Sequence, residues 1–218
     1  AAAGVLMQGN IKFNGALVLQ LFGDAPVKVA VAEVQSDLRL RATATVVGEV
    51  LAGASLSQLV NLGNQGRCAI TLDPKDRLPG QQTYQGVVPL FGDRREPLER
   101  LSEVLEHYML QSEQLDTTLV LAADDRVAAG LLIQRLPVQG QNSLAGTGAQ
   151  GQGAPAGDTG GAGSHEDGIG LDEHYNRISV LARSLQRDEL LTLDVDTILR
   201  RLFWEEPVLR FEPQVGDH

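Results

Sequence analysis

Residues 82–118 constrain this chain more than any other stretch, because they spell a strand, a turn, a long amphipathic helix and the start of a second strand. Tyr84-Gln85-Gly86-Val87-Val88-Pro89-Leu90-Phe91 is β-branched and aromatic, and Gly92-Asp93 is turn chemistry that stops it. Pro97 fits the first turn of a helix, where its missing N–H is not needed. Leu98, Leu101, Val104, Leu105, Tyr108 and Ser112 then recur every three or four residues, which predicts one apolar face. Glu99, Arg100, Glu103, Glu106 and His107 fall mostly on the other faces. A helix with such a stripe needs a sheet to cover it.

The flanking segments supply one. Residues 1–7 read as the last turns of a helix stopped by Gly9-Asn10. Asn14-Gly15, between Ile11-Lys12-Phe13 and Ala16-Leu17-Val18-Leu19-Gln20-Leu21-Phe22, predicts a tight hairpin. Gly23-Asp24-Ala25-Pro26 is a second turn. Val27, Val29, Val31 and then Leu38, Leu40, Ala42, Ala44 and Val46 alternate as in half-buried antiparallel strands, joined by Gln35-Ser36-Asp37. Ser55 caps a short helix through Leu62, and Arg67 to Leu72 form another strand. A further hairpin turns at Asp124-Asp125, between Thr117 to Ala122 and Val127 to Leu136. The fold class predicted is α+β: a mostly antiparallel sheet domain packed on a central amphipathic helix, over residues 1–137.

Residues 138–170 change character. They are dominated by Gly, Ala, Gln and Ser, and such a composition predicts a flexible linker. Residues 171–218 then form a small helical region. Asp172 caps a first helix with Tyr175, Ile178, Leu181, Ala182 and Leu185 on one face. Asp194 caps a second with Val195, Ile198, Leu199, Leu202 and Phe203, stopped by Glu205-Glu206-Pro207. Both are near the ~12–15-residue limit below which lone helices are marginal in water, so they should hold only while docked.

Several function classes are excluded or weakened at this stage. A net charge of −10 argues against a nucleic-acid ligand, whose phosphates need clustered Lys and Arg. No apolar run reaches the ~20 residues that span a bilayer, and the start lacks the basic residues of a signal peptide, so the expected setting is cytoplasmic. One cysteine among 218 residues allows no internal disulfide and no multi-cysteine metal site. Cys68 lies in strand-like sequence with nothing to lower its pKa, and reads as a core thiol. His107 reads as a solvated or satisfied histidine. His165-Glu166-Asp167 with His174 offers metal-ligand types without a surrounding shell, so no metal site is expected. Gly146-x-Gly148-x-x-Gly151 matches a dinucleotide fingerprint in letters only, because no strand precedes it and no helix follows. No catalytic residue is named, and the chain reads as no enzyme.

Six strings occur in order: Lys12-Phe13-Asn14-Gly15, Leu19-Gln20-Leu21-Phe22-Gly23-Asp24-Ala25-Pro26, Tyr84-Gln85-Gly86-Val87-Val88 with Gly92-Asp93, Leu105-Glu106-His107-Tyr108, Gln111-Ser112-Glu113-Gln114-Leu115 and Glu189-Leu190-Leu191-Thr192-Leu193. Together they resemble the bacterial redox-regulated heat-shock holdase family, the 33 kDa chaperonins. That resemblance implies an ATP-independent chaperone that binds unfolding client proteins under oxidative or heat stress and acts as a homodimer. It also implies one zinc held by four C-terminal cysteines, released on oxidation. None of those cysteines is in this chain, which is therefore expected to bind no zinc. The family's opening strand and most of its first helix are expected before Ala1. The alternative is a non-catalytic structural or oligomerisation module. Under the chaperone reading, Leu181, Leu185, Ile198, Leu199, Leu202, Phe203 and Trp204 form the linker-docking and client-binding surface, quiet while covered and sticky when uncovered.

Overall fold

A computed structural model describes residues 1–76, 83–135 and 166–207. The elements run α1 (Ala2–Asn10), β1 (Gly15–Phe22), β2 (Val27–Val34), β3 (Leu40–Val46), α2 (Leu56–Val60), β4 (Arg67–Pro74), β5 (Tyr84–Pro89), α3 (Leu101–Glu113), β6 (Thr117–Ala123), β7 (Ala128–Gln134), α4 (Glu166–Arg183), α5 (Arg187–Thr192) and α6 (Val195–Phe203). A five-stranded sheet has the order β3-β2-β1-β4-β5, and β6-β7 form a separate two-stranded ribbon. Every strand pairing among the described residues is antiparallel. The chain is α+β, as its pattern predicts.

Alternation along the strands decides where the core lies. Leu17, Leu19, Cys68, Ile70 and Val88 point to one side of the large sheet, where α1, α2 and α3 cover them with Met7, Val60, Val104, Leu105 and Tyr108. Two glycines let helices approach strands closely. A Cβ on Gly86 would stand 2.8 Å from the Tyr108 ring, and one on Gly130 would stand 2.7 Å from Leu6 of α1. The organising stretch folds as strand, turn, helix, strand. The α3 stripe is buried at Val104, Leu105 and Tyr108.

The structure corrects several local expectations. Asn14-Gly15 is no hairpin: α1 runs to Asn10, and residues 11–14 connect it to β1. The Gln8 side-chain amide donates to the carbonyls of Phe13 (3.3 Å) and Gly15 (3.4 Å), which fixes this connection. Gly15 is there for space, since a Cβ would meet the Asp73 carbonyl at 2.2 Å. Pro97 does not open the helix. It bridges back to Phe91, and α3 starts at Leu101, where the Glu103 carboxylate accepts the backbone N–H groups of Glu99 (2.9 Å) and Arg100 (3.1 Å). Strand β3 is exposed along its whole length rather than half-buried, because the helices pack against β1, β2 and β5 and leave this edge uncovered.

The C-terminal region holds three helices among the described residues, not two. Helix α4 already begins at Glu166, so Asp172 lies within it rather than capping it, and the short α5 was not foreseen. Asp194 does cap α6, accepting the Thr197 N–H at 2.9 Å. Residues 136–165, which carry most of the predicted linker and the glycine fingerprint, lie outside the described residues.

Candidate functional site

The β6–β7 ribbon is apolar on both sides. Leu119, Leu121 and Leu132 face the body core. Val120, Ala122, Ala129, Leu131 and Ile133 belong to a second cluster, with Ala182, Leu185, Leu190, Ile198, Leu202 and Phe203 at its buried centre. Register puts Leu119 opposite Leu132 and Val120 opposite Leu131, so neighbouring rungs serve different cores. The turn fixes that register, with Asp124 Oδ1 accepting the N–H groups of Arg126 (2.8 Å) and Val127 (2.6 Å). Helices α4, α5 and α6 therefore form a cap over the ribbon's outer face. The two clusters share no residue.

Six of the seven residues expected on the docking surface meet here. Leu185, Ile198, Leu202 and Phe203 are buried, and Leu181 and Leu199 are partly buried against them. Trp204 is the correction. It is 76% exposed, because six residues past Ile198 is roughly 240° around a helix, away from the stripe. The surface underneath belongs to the sheet domain and is its β6–β7 ribbon. Val120, Leu131 and Ile133 were missed, although their signal was present. Residues 117–123 and 128–134 are apolar without polar alternation, the mark of a strand buried on both faces.

Polar contacts frame the cluster. Arg183 reaches Glu106 of α3 at 3.3 Å, and Tyr175 Oη meets Thr118 Oγ1 at 3.3 Å. Arg187 donates to the Ala123 carbonyl at 2.7 Å. Within the cap, Arg201 pairs with Glu189 at 3.0 Å and Arg177 with Glu205 (3.4 Å) and Glu206. These pairs sit at the rim, where each is worth little, so apolar contact holds the cap down. Glu106 is the exception. Its Oε1 accepts the Leu119 N–H at 2.7 Å, so one side chain joins α3, the ribbon and, through Arg183, the cap. The hydrogen bonds of Thr197, side chain first, hold the Asp194 carboxyl below its ordinary range, so α6 keeps a charged cap near neutral pH.

The remaining candidates gather no chemistry. His107 lies 3.8 Å from Asp93 and is largely covered, while His174 is exposed. His165 is outside the described residues. Cys68 is fully buried, and burial pushes its thiol up to about 12. Among the described residues no three His, Cys, Asp or Glu side chains come together as metal ligands. The zinc implied by the resemblance finds no ligand set among these residues. No helix among the described residues is long and apolar enough to cross a membrane.

This arrangement, an α+β body with a helical cap over an apolar ribbon, is a fold already seen. The crystal structure of the 33 kDa chaperonin (heat shock protein 33 homolog) from Thermotoga maritima matches with a TM-score of 0.60 at 16% identity, covering 95% of this chain and 61% of that one. The 33 kDa chaperonin of Chromobacterium violaceum is 41% identical over 213 residues, 98% of this chain and 59% of the relative. That of Neisseria meningitidis serogroup A is 39% identical over 215 residues, covering 98% and 58%. The family description "Hsp33 protein" matches residues 1–217. The chain belongs to the Hsp33 family. It spans about three-fifths of the length of these curated relatives.

Proposed function

We propose that this chain is the client-holding part of an ATP-independent, non-catalytic cytoplasmic chaperone, and that lifting the α4–α6 cap from the ribbon exposes its client surface. One observation carries the reading: a second apolar cluster, separate from the body core, is covered among the described residues by the three C-terminal helices and a rim of weak polar contacts. Each large side chain in it gains ~1.5–3 kcal/mol from burial, so the uncovered face offers an unfolding protein a substantial apolar contact. The cap also presents Val180, Val195 and Trp204 to solvent, which gives a client a first foothold before full opening. Local opening of this kind draws on the least stable part of a fold. Membership in the Hsp33 family and the chaperonin names of the relatives support the same reading. Cys68 is sealed in the body core, so redox control, which the family resemblance implies, does not run through it.

The test is light scattering from a thermolabile enzyme heated with this chain, without ATP. The wild-type chain is expected to slow aggregation weakly. Phe203→Asp, which puts a charge into the covered cluster, should slow it several-fold more. Trp204 is the chain's one tryptophan, and its emission should move to the blue on client addition. If neither protein delays aggregation, or the variant does no better than the wild type, the reading fails.

A further inference from the structure

Both methionines of the chain line one cavity of about 200 Å³ in the body, away from the cap. Met7 comes from α1 and Met109 from α3, while Leu17, Ile70, Leu72 and Leu132 supply apolar walls. Polar atoms gather at one end. Tyr108 Oη donates to Glu113 Oε1 at 2.8 Å, and Tyr84 Oη lies 3.2 Å from Tyr108 Oη and 3.3 Å from the same carboxylate oxygen. Burial, then the hydrogen bonds with Tyr84 and Glu113, push the Tyr108 hydroxyl up, so it keeps its proton. Both hydroxyl protons are then spent inside the triad. What is left to offer is acceptors: hydroxyl lone pairs and the second oxygen of Glu113.

Asn10 and Gln134 also line the cavity, where the Asn10 amide donates to Gln134 Oε1 and the Gln134 amide to Thr117 Oγ1 at 3.1 Å. At the tyrosine end the free positions are acceptors, which favours an apolar molecule that brings one donor to Glu113. An empty apolar cavity of about 150 Å³ takes benzene, so this one has room for a single substituted ring. Two flexible thioethers suit the edges of such a ring. We propose that this cavity binds a small phenol-class molecule, its ring between Met7 and Met109 and its hydroxyl donated to Glu113.

The experiment follows the methyl signals of Met7 and Met109, labelled with ¹³C, during titration with 4-methylphenol, p-xylene and 4-methylanisole. Both methyls should shift saturably with 4-methylphenol. The two ring compounds that lack a donor should bind about tenfold more weakly, the equivalent of one hydrogen bond to a charged group. In Glu113→Leu, at an exposed helix end, the preference for the phenol should shrink to about twofold or less. The proposal is overturned if 4-methylphenol gives no saturable shift of both methyls. It is equally overturned if p-xylene or 4-methylanisole binds the wild-type chain as well as 4-methylphenol does. The ligand series on the wild-type chain decides the matter even where the variant does not fold.

Discussion

Leu202→Ala should loosen the cap and leave the body alone. Leu202 is 4% exposed and lies in the centre of the second cluster. Cutting a buried leucine to alanine costs ~2–5 kcal/mol, depending on how far the neighbours collapse into the space. A value of ~3 kcal/mol raises the open population roughly 10²-fold. Because no side chain belongs to both clusters, the loss has no direct route into the body core. Native-state hydrogen exchange on peptides from α6 and β4 reads the two regions separately. Protection in α6 should fall by about two orders of magnitude, while β4 keeps its own. Leu105→Ala, in the body core, should instead lower protection in β4. If Leu202→Ala lowers α6 and β4 equally, cap and body open as one unit and the covering mechanism is wrong.

Two further outcomes follow from single side chains. Glu106→Leu leaves the Leu119 N–H without its acceptor and should cost ~1–3 kcal/mol in urea unfolding, whereas Glu106→Gln keeps an acceptor and should cost under about 1. Equal costs would assign the effect to the partly exposed Arg183 pair instead. Cys68 should be inert to a thiol reagent at pH 8 and react once per chain in denaturant; rapid native labelling would contradict its burial. Its native thiol ionises at about 12 against an ordinary 9.0, so the unfolded chain loses its proton first. Stability should therefore decline as pH rises from about 9 toward 12, and Cys68→Ala should flatten that decline.

Much of this was legible in the sequence, because periodicity reports burial directly. The α3 stripe, the turn at Asp124-Asp125, the Ser55 and Asp194 caps and the apolar face of α6 all follow from spacing. The misreadings share a cause. Asn14-Gly15 and Pro97 carry strong local signals, yet both are claimed by contacts outside the pattern that signals them: the β4 backbone at Asp73 and the bridge to Phe91. The cap site was half visible. Leu185, Ile198 and Leu202 announce a covered face, but no local pattern says what covers it. Only the absence of alternation in Val120 to Ala122 and Leu131 to Ile133 hinted at the ribbon. Glu106 was unreadable, since one carboxylate on a solvated-looking helix face gives no sign that it caps a strand edge 13 residues away.

The tight Asp124 loop has an importance out of proportion to its size. A slip of one rung in β7 would turn Leu132 outward and send Leu131 and Ile133 into the body, exchanging the interior face for the one the cap covers. Under the proposed covering mechanism, two short hydrogen bonds at a solvent-exposed bend would thus settle which half of a greasy ribbon is private and which is for strangers.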